Sequence, residues 1–224
     1  MTSLLAGDLA LLGWDDARGK AAWRASSTLN MGIAGALLLD AVLGEALRVE
    51  DDRVVVAGRA DDPLLQDAVE VVAAYRRPPK VQRVVQRLAT NKRKRSVIDR
   101  LVAQGVLRTE QHRVLGVFPV TRHPVTATEQ AERLRAEVVA LLTGRADADT
   151  VDDRLVMLAA LAGSSSLIDG LVDRGERRDA KKRAKEFGQG DGISPAVREA
   201  IQAAQAATVA VIAAGSAASS SGSS

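Results

Sequence analysis

The chain has 224 residues, of which 46% are hydrophobic, and this is enough apolar material for a domain with a buried core. It contains no cysteine, which excludes disulfides, thiolate metal sites and cysteine nucleophiles and fits a reducing cytoplasm. The net charge of +3 is unevenly distributed, because residues 76–113, the basic segment, carry twelve Lys or Arg against two acids. This segment is therefore +10 and the rest of the chain −7, an asymmetry typical of a protein with an anionic partner. The alternative is a helix face that is charged only for solvation.

The sequence predicts neither a signal peptide nor a membrane span. The N-terminus has no basic n-region and meets Asp8 early. The longest apolar run, residues 31–39, is much shorter than the roughly 20 residues that cross a bilayer. Any membrane contact is then expected to be peripheral.

The first 47 residues predict two apolar helices with an irregular connection. Residues 4–14 form a short apolar element that ends in a turn, and residues 21–25 suit a short strand or an extended lead-in. Residues 30–47 are apolar on nearly every side, which predicts a buried helix. Gly32 in this helix would allow another element to approach closely.

The middle of the chain predicts a hairpin followed by three amphipathic helices. Residues 47–56 place two apolar runs around a polar turn. Asp62 precedes a proline and predicts a helix start there. Apolar stripes at helical spacing continue over residues 81–88 and 96–104. Gly105 occupies a C-cap position after the last of these.

A second hairpin is predicted at residues 106–120. We expect its strands at 106–107 and 114–120, on either side of a turn at 108–113. Pro124 breaks the pattern soon after the second strand.

The remaining pattern is helical. The predicted helices cover residues 128–142, 152–161, 174–187 and 195–214. Residues 152–161 are apolar almost all round and are expected to form the central core helix. The fold class is thus mostly α, a single helical domain over residues 1–214 around a buried central helix, with two small β-hairpins. Residues 215–224 form a Ser/Gly-rich tail that is expected to be disordered.

The sequence contains no recognisable catalytic or metal-binding pattern. Its two histidines, His112 and His123, have no partner at metal-ligand spacing. The four Asp-Asp pairs lie at turns and helix starts, where Asp accepts from free backbone N–H groups. We therefore predict a protein that is not an enzyme, with no catalytic residues, metal or cofactor.

Within the basic segment, one lysine occupies a distinctive helical position. If Ile98 and Leu101 belong to the inner face of their helix, Lys94 falls on the same face one turn earlier. This predicts Lys94 where the buried face opens into a groove near the positive end of the helix dipole, a suitable place for a phosphate. The alternative is a lysine that extends over the apolar edge to reach water.

The two tryptophans have open interpretations. Trp14 follows a run of leucines and suits the core, whereas Trp23 lies in a short polar segment. An amphipathic indole also suits a membrane interface or a head-group pocket. Core packing remains the alternative for both.

Six stretches, taken in order, carry a family resemblance. They are LLAGDLALLGWDDARGK, GALLLDAVLGEAL, RRPPKVQ, RLVAQGVL, TRHPVT and DDRLVMLAALA. With them the sequence, over residues 4–213, resembles the Golgi phosphoprotein 3 family, peripheral membrane proteins that bind phosphatidylinositol 4-phosphate. The resemblance implies a mostly α domain around a buried central helix, and the composition looks like that of a bacterial member.

The resemblance also implies a lipid-binding site. It matches the tryptophan of the family to Trp23 and the two bases of the basic helix to Asn91 and Lys94, with Arg95 as a neighbouring charge. Two departures accompany it, because Ala34 stands where the family has an arginine and Asn91 replaces a base. These departures imply a different head group or a lower affinity.

The resemblance further implies that the hairpin after the basic helix serves oligomerisation and membrane contact. Leu115, Val117 and Phe118 are the residues expected to make these contacts. The resulting hypothesis is a cytoplasmic protein, peripherally associated with the membrane as a homo-oligomer, that binds an anionic phospholipid head group.

Two alternatives to lipid binding remain at this point. A helix followed by a hairpin in a +10 segment also suits a winged-helix-like protein that binds nucleic acid. Asp99 on the outward side of that helix makes nucleic acid the less favoured partner. The other alternative is a structural scaffold whose bases serve solubility only.

Overall fold

The computed structural model describes residues 3–16, 18–22, 28–114, 118–165, 167–187, 201–202 and 205–206, with residues 113, 114, 118 and 119 described by their backbone alone. The helices are α1 (Leu5–Leu12), α2 (Leu29–Leu43), α3 (Pro63–Ala73), α4 (Val81–Leu88), α5 (Asn91–Ala103), α6 (Thr128–Thr143), α7 (Asp153–Ser164), α8 (Ile168–Leu171) and α9 (Arg177–Phe187), with a 3₁₀ turn at Ala148–Thr150. The strands are β1 (Trp14–Asp15), β2 (Lys20–Ala21), β3 (Leu47–Glu50), β4 (Arg53–Val56), β5 (Glu110–Val114) and β6 (Phe118–Arg122).

The predicted fold class, mostly α with small hairpins, is confirmed. The described strands form three separate two-stranded antiparallel sheets, β1–β2, β3–β4 and β5–β6, instead of the two that were expected. The additional sheet pairs Trp14 with Ala21 across the turn that was predicted between the first two elements. Strands of two residues are too short to show an apolar alternation, so this pairing left no periodic signal.

The buried central helix of the N-terminal half is α2. Every residue from Gly32 to Val42 is buried, and the helix packs against α1, α3, α4 and α7. A Cβ atom on Gly32 would lie 2.8 Å from Leu9 Cδ2 and 2.7 Å from Ser165 Oγ, so the predicted close approach is confirmed. The helix ends at Leu43, four residues before the predicted boundary, and a turn through Gly44 leads the chain into β3.

A second buried helix, α7, lies beside α2. Its residues Val156 to Ala162 are buried, and it contacts α1, α2, α6 and α9. The expected core helix at residues 152–161 therefore exists, but it shares the centre of the fold with α2. Two helices that are apolar all round need neighbours on every side, and the remaining helices supply them.

The second hairpin has a different register from the one predicted. Residues 108–113 were expected to form the turn, but Glu110–Val114 is the first strand and pairs with Phe118–Arg122. His112 consequently lies in a strand opposite Val120, and not in a turn. None of the ladder residues whose side chains are described is buried, so no apolar residue at every second position marks that part of the hairpin.

Two buried carboxylates, Asp8 and Asp40, and the half-buried Arg154 form a cluster at the start of α1, called here the buried ion cluster. The Asp40 carboxylate accepts hydrogen bonds from the backbone N–H groups of Leu5, at 2.9 Å, and Ala6, at 3.1 Å. Arg154 donates to Asp8 at 2.7 Å and lies 3.9 Å from Asp40. Burial raises the pKa of Asp40 to about 6, although the two N–H groups and Arg154 act in the opposite direction. The cluster thus supplies the helix start with a carboxylate from a distant part of the chain.

Candidate functional site

The candidate site lies at the start of α5, where local sequence determines the helix boundary. Thr90 is the N-cap, and its Oγ1 accepts a hydrogen bond from the N–H of Arg93 at 3.3 Å. The face predicted to be internal is buried, with Val97, Ile98 and Leu101 inside the core. The orientation of α5 assumed from the apolar spacing is therefore correct.

Three of the predicted site residues lie in the first turns of α5. Lys94 is half-buried, as its position on the inner face requires, whereas Asn91 and Arg95 are exposed. Within the described part of the chain, neither Lys94 nor Arg95 forms an ion pair with an acid. Both charges are therefore uncompensated near the positive end of the helix.

An asparagine on α2 that the sequence analysis did not single out joins this group. Asn30 Nδ2 donates a hydrogen bond to Asn91 Oδ1 at 3.0 Å, which ties the first turn of α2 to the first turn of α5. The Oδ1 atom of Asn30 is buried and accepts no hydrogen bond from the described residues. Ala34, one turn later on α2, is fully buried, so the polar atom that α2 offers at this junction comes from Asn30. In the sequence, only the position of Asn30 four residues before Ala34, one helical turn away, could have identified Asn30 as part of the site.

Two arginines of α5 pair with acids of α3 and do not contribute to the candidate site. Arg93 Nε lies 2.5 Å from Asp67 Oδ2, and Arg100 is hydrogen-bonded to the Asp62 carboxylate. Asp62 also caps α3, since it accepts from the N–H of Leu64. These ion pairs hold α5 against α3, and they neutralise part of the charge that the sequence places in the basic segment.

Of the two tryptophans, only Trp14 lies in the part of the chain that the structure describes. Trp23 lies in residues 23–27, outside the part of the chain that the structure describes. Trp14 is 7% exposed, and its indole N–H donates to the carbonyl of His123 at 2.8 Å. Trp14 is therefore a core residue that anchors the end of β6.

The hairpin residues expected to contact a partner or the bilayer are also incompletely described. Leu115 and Val117 fall in residues 115–117, outside the described residues, and Phe118 begins β6 with only its backbone described. On the strand opposite, His112 Nε2 lies 3.0 Å from Glu110 Oε2. The hydrogen bond with His112, helped by Arg108, lowers the pKa of Glu110, so an exposed ion pair lies at the base of the hairpin.

The described residues were also compared with the geometry of a metal site and with the length of a membrane-spanning helix. Among them, no group of three or more His, Asp or Glu side chains has the arrangement of a metal site. None of the helices within the described ranges combines the length and apolar character needed to cross a bilayer.

The family model described as Golgi phosphoprotein 3 (GPP34) matches residues 5–204, which is most of the chain. A comparison with curated proteins gave no match. The matched range includes both buried helices, the basic segment and the junction between α2 and α5.

Proposed function

The chain belongs to the Golgi phosphoprotein 3 family, and on that basis we propose that it is a peripheral membrane protein that binds an anionic phospholipid. The ligand is a phosphorylated head group of the phosphatidylinositol 4-phosphate type, and the function involves no catalysis. Trp23, Asn91, Lys94 and Arg95 are the proposed lipid-binding residues, and Asn30 is added to them.

The observation that carries the proposal is the junction of two helix starts beside an unpaired lysine. The Asn30–Asn91 hydrogen bond brings together the N-terminal turns of α2 and α5, where free N–H groups favour an anion. Lys94 lies one turn along α5, half-buried and without an ion pair in the described part of the chain. A phosphate at this junction would meet an ammonium group and two helix ends at once.

The side chain of Asn30 uses its amide group to hold the junction together. Its Nδ2 donates to Asn91, and its Oδ1 is buried and has no donor among the described residues. A buried acceptor without a donor costs about 1–3 kcal/mol, so the junction keeps this arrangement at the expense of stability.

The exposed bases of α5 suit a membrane surface. Lys92 and Arg95 are exposed, and no ion pair within the described residues neutralises either of them. Each such charge near an anionic leaflet contributes about 1 kcal/mol, so a few of them give reversible binding. Asn91 replaces a family base, which lowers the affinity of one copy of the chain for the head group.

Oligomerisation would compensate for that low affinity. The proposed contacts between copies are made through the β5–β6 hairpin by Leu115, Val117 and Phe118, and the same residues are proposed to contact the bilayer. Linking several weak sites raises the overall affinity of an assembly without any new contact to lipid.

We also propose a cytoplasmic location at the membrane surface and a division into a domain of residues 1–214 and a tail of residues 215–224.

Nucleic acid remains the alternative partner, and the ion pairs of α5 make it less favourable. Arg93 and Arg100 are engaged with acids of α3, and Asp99 lies exposed on the outward side of the helix. Duplex binding depends on many cations that contact phosphates together, and fewer of them remain available here.

The proposal is tested by flotation of the protein with phosphatidylcholine vesicles that do or do not contain phosphatidylinositol 4-phosphate. We expect recruitment only to the phosphorylated lipid. Recruitment of Lys94→Glu should be about thirtyfold weaker, because two charge units of about 1 kcal/mol each are lost at the site. Trp23→Ala is expected to weaken recruitment as well. Lys185→Glu on α9 is the control, since it makes the same change in net charge at an exposed lysine outside the proposed site.

Three results would contradict the proposal. They are no recruitment of the unaltered protein, recruitment that is the same for Lys94→Glu and the unaltered protein, and an equal loss for Lys94→Glu and Lys185→Glu. Tight binding to a random DNA duplex, with a steep decline as salt is raised, would instead favour the alternative.

A further inference from the structure

A groove of about 420 Å³ lies beside α4, and none of the proposed lipid-binding residues lines it. Its walls are the start of β4, the chain that follows α3, and the first turns of α4. Four cationic side chains line it, Arg53, Arg77, Lys80 and Arg83, together with the half-buried Tyr75. No acidic side chain is among the lining residues.

The positive charge of the groove is not compensated within the described residues. None of its four bases forms an ion pair there, whereas Arg93 and Arg100 of the neighbouring helix each have an acidic partner. The nearest acids along the chain are Asp51 and Asp52 in the β3–β4 turn, and the described contacts join neither carboxylate to a base of the groove. Four like charges around one concave surface attract a multiply charged anion.

The groove is held in shape by contacts between β4 and the segment before α4. Arg53 Nη1 donates to the carbonyl of Pro78 at 2.7 Å, and the N–H of Val54 donates to the carbonyl of Pro79 at 2.9 Å. The N–H of Val81 donates in turn to the carbonyl of Asp52 at 3.0 Å. Pro78 and Pro79 restrict the backbone further, so little backbone entropy would be lost on binding.

The groove is separate from the junction of α2 and α5. Lys80 is the N-cap of α4, and the groove follows that helix as far as Gln86, five residues before Asn91. Lys94 and Arg95 do not line the groove. The groove and the proposed lipid site therefore share no residue.

We propose that this groove binds a phosphorylated polyol with at least two negative charges. Guanidinium groups donate in pairs to phosphate oxygens, and three of the four bases are arginines. The volume is near the lower end for small-molecule sites, which suits a sugar phosphate or one lipid head group and is too small for a folded partner. Tyr75, Gln82 and Gln86 line the same space and can bond the hydroxyls of the ligand.

The sequence offers a reporter at this position, because Tyr75 is the only tyrosine of the chain. Incorporation of 3-fluorotyrosine gives a single ¹⁹F resonance that reports on the groove. Titration with glucose 6-phosphate is expected to shift this resonance saturably, and glucose is expected to leave it unchanged. In a parallel arm, phosphatidylcholine vesicles with and without phosphatidic acid distinguish a membrane-borne phosphate from a free one.

Two double variants with the same loss of charge make the test specific. Arg77→Gln/Arg83→Gln removes two bases of the groove and is expected to weaken the ¹⁹F titration about tenfold or more. Arg76→Gln/Arg87→Gln removes two exposed neighbours that do not line the groove and is expected to change it less than about twofold. Lys94→Glu is expected to leave it unchanged, which separates this site from the proposed lipid site.

Each other outcome would overturn the inference. An absent shift with both the sugar phosphate and the phosphatidic acid vesicles would exclude a phosphate site. An equal effect of the two double variants would show that the attraction is diffuse and not local to the groove. A shift that is abolished by Lys94→Glu would assign the ligand to the junction of α2 and α5.

Discussion

The buried ion cluster and the basic segment concentrate charge in opposite ways. In the cluster, Asp8 and Arg154 pair with each other, and Asp40 satisfies two N–H groups of α1. In the basic segment, several cations have no acidic partner within the described residues, and most of them are exposed. Charges that are buried and paired hold elements together, whereas exposed and unpaired charges are available to a ligand.

The largest loss of folding stability is expected from a substitution in the buried ion cluster. Asp40→Ala removes the acceptor for two backbone N–H groups and leaves Arg154 with one fewer acid, so the free energy of unfolding should fall by about 3 kcal/mol. Urea unfolding measures this change. Asp99→Ala, an exposed acid on α5, is the control and should change stability by less than about 0.5 kcal/mol. A similar result for the two variants would refute the structural importance assigned to the cluster.

The pH dependence of stability gives a second test of the cluster. Burial raises the pKa of Asp40 from its ordinary value of 3.8 to about 6, so the folded state binds the proton more tightly than the unfolded state. Its contribution is full below pH 3.8 and is lost as pH rises through 6. Between about pH 5 and pH 7.5 the free energy of unfolding should fall by about 1 kcal/mol from this group.

Asp40→Asn provides the comparison for this pH dependence. The amide does not titrate, so the fall in stability over the same pH interval should be absent from the variant. Denaturant unfolding at a series of pH values measures the difference between the two proteins. Equal slopes for the variant and the unaltered chain would mean that Asp40 titrates with an ordinary pKa.

Smaller effects on stability and on vesicle recruitment should distinguish the paired from the unpaired bases of α5. Arg93→Gln breaks the ion pair with Asp67 and should lower the free energy of unfolding by about 1 kcal/mol, with little effect on vesicle recruitment. Arg95→Gln should do the reverse, with stability changed by less than about 0.5 kcal/mol and vesicle recruitment reduced severalfold. Chemical unfolding and flotation on the same two variants provide the measurement. If both variants behaved alike, the division into paired and available charges would have no functional meaning.

Much of the fold followed from local patterns. The buried face of α5 was predicted from apolar spacing, because a helix repeats every 3.6 residues and its inner residues share one stripe. The burial of α2 was predicted because its residues are apolar on nearly every side. The register of the β5–β6 hairpin was not, because His112 and Val120 both face solvent and no alternation marks the strands. A pattern exists only where one face of an element is buried.

The candidate site was predictable only in part, for a different reason. The half-buried position of Lys94 followed from its spacing to Leu101 along one helix. The hydrogen bond from Asn30 joins residues 61 positions apart, and no local spacing along either helix indicates it. The predictions for Trp23 and for the tip of the hairpin lie outside the described residues and remain predictions.

The sequence alone determined that the chain is a mostly helical member of its family, with two helices apolar all round and a concentration of positive charge before residue 114. These properties depend on composition and short-range periodicity, which a linear chain already contains. Only the tertiary structure decided which of those charges are neutralised. Asp62 and Asp67 of α3 reach Arg100 and Arg93 across 38 and 26 residues, and ion pairing acts over the few ångströms that folding alone establishes.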